Sequence, residues 1–93
     1  MKYVMFAKKL EYCTQFMPVV FPDCVCHCDI ASKMQGAEAI SAGFVRFVQN
    51  GVETYGCAES LLLQSREEDA VYIQSMLAGL TDTNFYLKYE FAN

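Results

Sequence analysis

Asn50-Gly51, set between two runs of strand-forming residues, constrains this chain more than any other pair in it. Ala39 to Val48 precede the pair and Val52 to Leu63 follow it. Asn-Gly tolerates the positive φ that both central positions of a type I′ turn require, so a tight hairpin is predicted here. With Gln49 opposite Val52, Phe47 faces Thr54, Val45 faces Gly56 and Gly43 faces Ala58, all on one side of the ribbon. Two glycines and an alanine on that side leave room for a crossing element to approach closely.

The next segment supplies that element. Ser65-Arg66-Glu67-Glu68 reads as a capping box, with Ser65 as N-cap and Glu68 at N3. Glu67, Glu68 and Asp69 favour the positive end of a helix dipole. Ala70, Ile73, Leu77 and Leu80 then follow the helical rhythm, predicting a helix over about 66–80 that lays its apolar stripe on the sheet. Tyr3 to Ala7 and Tyr12 to Val20 read as strands, with Pro18 restricting the second to an edge. Phe21-Pro22-Asp23 reads as a turn. Cys24 to Ile30 fits either a short strand or one helical turn, because periodicity does not separate them. Phe85, Leu87, Tyr89 and Phe91 alternate along a final strand.

Strands, helix, strand in this order describe an α+β fold: a mainly antiparallel sheet of about five strands with one helix on one face, in a single domain over 1–93. Ninety-three residues do not suffice for two cores. The other face is expected to lack a helix. Phe44, Val48, Tyr55 and Cys57 fall there beside Arg46 and Glu53, forming an amphipathic surface suited to a partner. Apolar residues exceed the usual share of a soluble domain, which excludes disorder and argues for self-association.

No apolar run reaches the ~18 residues of a membrane span, and the N-terminal residues do not read as a secretory signal. A cytoplasmic protein is expected. Seven Lys and Arg against eleven Asp and Glu give a net charge of −4, which disfavours binding to nucleic-acid strands. Five cysteines without an export signal are expected to be reduced.

Cys24-Val25-Cys26-His27-Cys28 carries the densest chemistry. On a strand the three thiols share one face and His27 takes the other, so convergence on one ion requires a bend or a ligand such as Cys13 or Cys57 from elsewhere. A thiol nucleophile paired with His27 likewise has only Cys13 or Cys57 as geometric candidates. Asp23, Asp29, Glu53 and Glu59 form no acid/base motif. No phosphate loop, H-E-x-x-H or G-x-S-x-G is present. The reading is therefore non-enzymatic, with no cofactor.

Ala39 to Val45 and Gly56 to Ala70, with Phe21-Pro22-Asp23 and Cys26-His27-Cys28-Asp29 before them, resemble small phage and prophage proteins of unassigned function, over about residues 1–80. The resemblance brings no catalytic residues. It implies a virus-encoded accessory protein acting by binding in a bacterial cytoplasm.

The leading expectation is thus a binding protein that engages a second copy of itself or a host protein, as an inhibitor of a host defence system, through Phe44, Arg46, Val48, Glu53, Tyr55, Tyr86, Lys88 and Tyr89. A second is an oligomer that sequesters a small nucleotide, with Tyr55, Tyr86 or Tyr89 as stacking plates and Arg46 or Lys88 on phosphate. A third is a zinc-thiolate protein using Cys24, Cys26 and Cys28.

Overall fold

Tyr3, Val4, Met5 and Phe6 are consecutive and all essentially inaccessible to solvent. A strand without alternation of this kind has to be covered on both faces. The computed structural model describes residues 1–80, apart from the side chains of residues 79 and 80. It places these four in the middle of β1 (Lys2–Lys9), between β2 (Thr14–Phe21) and β3 (Glu38–Val48), with β4 (Gly51–Tyr55) beyond β3. All pairings in this four-stranded sheet, ordered β2-β1-β3-β4, are antiparallel. A separate short ribbon, β5 (Cys57–Ala58) with β6 (Leu63–Gln64), is bridged by a single 3-10 turn, Glu59–Leu61. The expected α+β class is the observed one. The strand expected at 85–91, with Tyr86, Lys88 and Tyr89, lies outside the described residues.

Helix α2 (Glu67–Leu80) packs on one face, as its stripe predicts. Ile73 is buried against Tyr3, Met5 and Val45, with Leu77, Phe16, Val20 and Val52 around them. A bulge between Met5 and Phe6 in the pairing with β3 leaves Ile40 as the extra residue, and it joins this cluster.

The opposite face departs from expectation. It carries a second helix, α1 (His27–Lys33), and the β5–β6 ribbon. Ile30 and Met34 of this region, with Leu61 and Leu63 of the ribbon, close over Val4, Phe6, Phe21, Ala42 and Ala58. The segment left open between strand and helix is helical because His27, Ile30 and Met34 fall at i, i+3 and i+7, one inward line. Asp29 in its first turn and Lys33 in its last also complement the dipole. The turn expected just before it is present, closed by Val25 N–H donating to the Pro22 carbonyl at 3.1 Å. Among the described residues no helix is long and apolar enough to cross a membrane.

The central hairpin forms, but its turn slides by one residue. Val48 pairs with Gly51, Phe47 with Val52 and Val45 with Thr54, so the loop is Gln49-Asn50. Leu62 is the one non-glycine with positive φ among the described residues, so Asn50 does not adopt the left-handed form a type I′ turn needs there. Because the pairing moves by two positions, each side chain keeps its predicted face. The close approach expected at Gly43 is real. A Cβ there would lie 2.6 Å from the Tyr55 carbonyl oxygen and 3.0 Å from Ser65 Cβ. Gly56, at φ +74°, turns the chain out of β4 at this crossing, and the Ser65 N–H donates to its carbonyl at 3.0 Å.

The helix cap also shifts by one residue. Helix α2 begins at Glu67, which makes Arg66 the N-cap and Asp69 N3. The Arg66 N–H donates to Asp69 Oδ2 at 3.3 Å, the bond expected of Glu68. Asp69 takes this role because it is fully buried and has partners inside, whereas the Glu68 side chain is exposed.

Two outcomes in urea unfolding check these placements. Gly43→Ala is expected to destabilise by about 1–3 kcal/mol through overpacking against backbone. Ser65→Ala, the full N-cap loss of ~1 kcal/mol if Ser65 capped the helix, is expected to stay within about 0.5 kcal/mol of wild type.

Candidate functional site

Sheet register brings five of the expected interface residues together. Phe44 pairs with Tyr55 and Arg46 with Glu53, and Val48 continues the same row on β3. All five project on the α1 side, at the end of the sheet that carries the β3–β4 hairpin, and Phe44 is the one that meets α1, through His27. Tyr55 is 41% exposed and Val48 43%. Arg46 Nε donates to Glu53 Oε1 at 2.6 Å, and its Nη2 bridges to the same oxygen. The Arg46 guanidinium also lies 4.8 Å from the centre of the Tyr55 ring, a cation–π contact. Phe47, 64% exposed, emerges on the other side of the same hairpin.

An aromatic line runs inward from this patch. The Tyr55 and Phe44 rings stack at 5.6 Å, Phe44 meets His27 edge-on at 5.6 Å, and His27 meets Phe21 edge-on at 5.5 Å. His27 is buried, and its Nε2 lies 2.8 Å from the Gly43 carbonyl oxygen. A carbonyl only accepts, so Nε2 carries the proton and donates. His27 thus anchors α1 to the middle of β3. The patch is thus continuous with the core through this line of ring contacts.

The cysteine cluster does not converge. Cys24, Cys26 and Cys28 are exposed, as are Cys13 and Cys57, and no group of three potential metal ligands forms among the described residues. Cys57 does line the same groove as His27, but no hydrogen bond joins them. This groove, of about 420 Å³, is also lined by Lys2, Phe44, Ala58 and Glu59. Beside it a hollow of about 280 Å³ lies between Ala58 and Leu62. Leu62 has left-handed backbone, φ 56° and ψ 36°, and is 91% exposed. Such a conformation costs a non-glycine residue about 1–2 kcal/mol, and nothing in the sequence marks it.

The sequence also gave no sign of a buried polar cluster under the start of α2. Asp69 Oδ2 accepts from the Tyr3 hydroxyl and from Ser41 Oγ, each at 2.6 Å. Asp69 Oδ1 accepts from Arg66 Nη2 at 2.7 Å and Nε at 3.1 Å. Arg66 Nε also donates to Ser41 Oγ at 3.2 Å. Tyr3, Ser41 and Asp69 are fully buried, and no buried side-chain polar atom lacks a partner among the described residues. Burial, with the hydrogen bond to Asp69 behind it, raises the Tyr3 phenol well above its ordinary 10.0. The bond to Asp69 raises the Arg66 guanidinium further, so it stays charged. Ser41 Oγ is sealed from solvent and already donates to Asp69, so the cluster offers no accessible nucleophile. It joins β1, β3 and α2.

The sequence matches no protein-family model, and neither a curated protein nor a solved structure matches it.

Two measurements test the cluster. Asp69→Ala leaves the Tyr3 and Ser41 hydroxyls and Arg66 without their acceptor, and is expected to cost about 3–5 kcal/mol in urea unfolding. The raised Tyr3 phenol means that the folded state holds its proton more tightly than the unfolded chain. Its contribution is therefore complete below pH 10.0 and declines as pH rises above it. Unfolding followed through this range should show a shallower alkaline loss in Tyr3→Phe than in wild type.

Proposed function

We propose that this chain is a non-enzymatic accessory protein that binds another protein through the hairpin end of its sheet, with Phe44, Arg46, Val48, Glu53 and Tyr55 as the contact. The observation that carries the reading is the exposed Tyr55–Arg46–Glu53 group standing on the Phe44–His27–Phe21 line. Tyrosine and arginine dominate binding energy at protein interfaces when their geometry is fixed in advance. Here the guanidinium is held over the ring by its own carboxylate, so little side-chain freedom is lost on docking. The likeness to small phage proteins supports a virus-encoded role in a bacterial cytoplasm, with a host defence protein as the target class.

The same geometry speaks against nucleotide sequestration at this patch. The Tyr55 ring already contacts Phe44 and Arg46, and the Arg46 charge is already met by Glu53. Neither a free stacking plate nor a free phosphate-binding cation is left here. The zinc reading has no convergent set of ligands among the described residues to support it.

Affinity capture from a bacterial host lysate tests the proposal, with Tyr55→Ala and Arg46→Ala run beside wild type. A host protein enriched by wild type and lost with both variants is the expected result. Equal enrichment by all three, or none by wild type, contradicts it.

A further inference from the structure

Among the described residues β4 is an edge strand, with β3 on one side and no strand on the other. The groups on that free side follow from the neighbouring pairing. Val45 N–H donates to the Met1 carbonyl at 2.8 Å, and the Val45 carbonyl accepts from the Met1 ammonium at 3.3 Å. Val45 thus turns its backbone toward β1, and its neighbours Phe44 and Arg46 turn theirs to Tyr55 and Glu53. The N–H and C=O groups of Val52 and Thr54 therefore point outward. The opposite edge, β2, is interrupted. Leu10 N–H donates to the Cys13 carbonyl at 2.7 Å, and alternation from that pair puts the nitrogen of Pro18, which carries no proton, on the outer side. Along the β4 edge runs a trough floored by α2. A hollow of about 400 Å³ lies between Val52 and Thr54 of β4 and Glu67 and Ala70 of α2, and one of about 350 Å³ borders Val71, Gln74, Ser75 and Ala78. Val71 is 65% exposed on this flank.

We propose that the occupant of this edge is residues 85–91 of the same chain, added parallel to β4 as a fifth strand. Chain direction and length carry the assignment. Helix α2 starts beside Thr54, whose Oγ1 donates to the Arg66 carbonyl at 2.8 Å, and draws level with Gly51 at Gln74. It therefore runs antiparallel to β4. Its last residue lies six positions further, about 9 Å along the axis, and Thr81-Asp82-Thr83-Asn84 is a connection of ordinary length back to the sheet. The hand is also the favoured one. Seen from the α2 side with β4 running upward, L-residues facing the viewer, here Val52 and Thr54, direct their N–H and C=O to the right. The free edge is thus on the right, where a right-handed β4–α2–strand crossover arrives. The β5–β6 ribbon leaves and returns at one point, where Ser65 N–H meets the Gly56 carbonyl, and does not change that hand. Phe85, Leu87, Tyr89 and Phe91 then cover Ala70 and Val71, while Tyr86, Lys88 and Glu90 bond to β4 and share the face of Glu53 and Tyr55. The added strand widens the hairpin patch, and that consequence alone rests on the protein-binding reading.

Amide exchange and cross-strand contacts, read by NMR on the full chain, test the proposal. In wild type the Val52 and Thr54 N–H groups are expected to be protected from exchange and to show contacts with residues 86–90. Lys88→Pro removes a donor to β4, and Leu87→Asp puts a charge against α2. Each is expected to speed exchange at Val52 and Thr54 by about tenfold or more. Glu53 and Tyr55, whose N–H groups face β3, stay protected and show that the fold is intact. Val52 and Thr54 amides that exchange freely in wild type overturn the proposal, as does protection that both variants leave unchanged. Contacts from 85–91 to β2 overturn it too. In a mixture of nitrogen-labelled and carbon-labelled copies, a contact between differently labelled chains assigns the strand to a second copy and likewise overturns it. No readout here involves a partner, so failure leaves the protein-binding proposal standing.

Discussion

Burial of β1 on both faces is the constraint on which the rest of this molecule depends. Tyr3 and Met5 point toward α2, while Val4 and Phe6 point toward α1 and the β5–β6 ribbon. Each such side chain, fully buried, stabilises by about 1.5–3 kcal/mol. Four in a row contribute on the order of the whole net stability of a small domain. That gain exists only if both layers are present. A seven-residue helix such as α1 is too short to be stable alone, and it persists here because His27, Ile30 and Met34 dock on this strand and its neighbours. Among the described residues, this sheet face is exposed at the β3–β4 hairpin, where Arg46, Val48 and Tyr55 stand.

The buried Asp69 cluster fixes how α2 sits on the opposite face. A charge inside a core is costly unless it is fully partnered, and Asp69 meets that condition only when the first turn of α2 lies over both Tyr3 and Ser41. Sliding the helix by a turn would leave the carboxylate and two hydroxyls unsatisfied. The cluster thus selects one register for α2 among those its apolar stripe would permit. The aromatic line through His27 does the same on the other side, where one hydrogen bond to Gly43 and two ring contacts fix the entry of α1.

Much of this was legible in the residues, and the misses have physical causes. Alternation placed Phe44, Arg46, Val48, Glu53 and Tyr55 on one face correctly, because side-chain parity survives a two-position slip in pairing. The turn itself moved from Asn50-Gly51 to Gln49-Asn50, a local preference overridden by the packing of β3 and β4. Capping chemistry found the start of α2 to within one residue but chose Ser65 and Glu68. The choice was settled by Tyr3 and Ser41, which are distant in sequence and invisible to a local rule. The expectation of a bare second face was the main miss. The strand reading of Tyr3 to Ala7 left unused its lack of alternation, which requires cover on both sides. His27, Ile30 and Met34 span too short a segment for their spacing to decide between strand and helix. The left-handed Leu62 had no such signal, since nothing local distinguishes that leucine from its neighbours.

Paired charge insertion into β1 tests this account most directly: Val4→Asp on the α1 side and Met5→Asp on the α2 side, each measured by equilibrium urea unfolding. If two layers seal the strand, both variants bury an unpaired carboxylate and both lose several kcal/mol. A Val4→Asp variant as stable as wild type, beside a Met5→Asp variant that fails to fold, would show that the α1 face is open and contradict the three-layer arrangement.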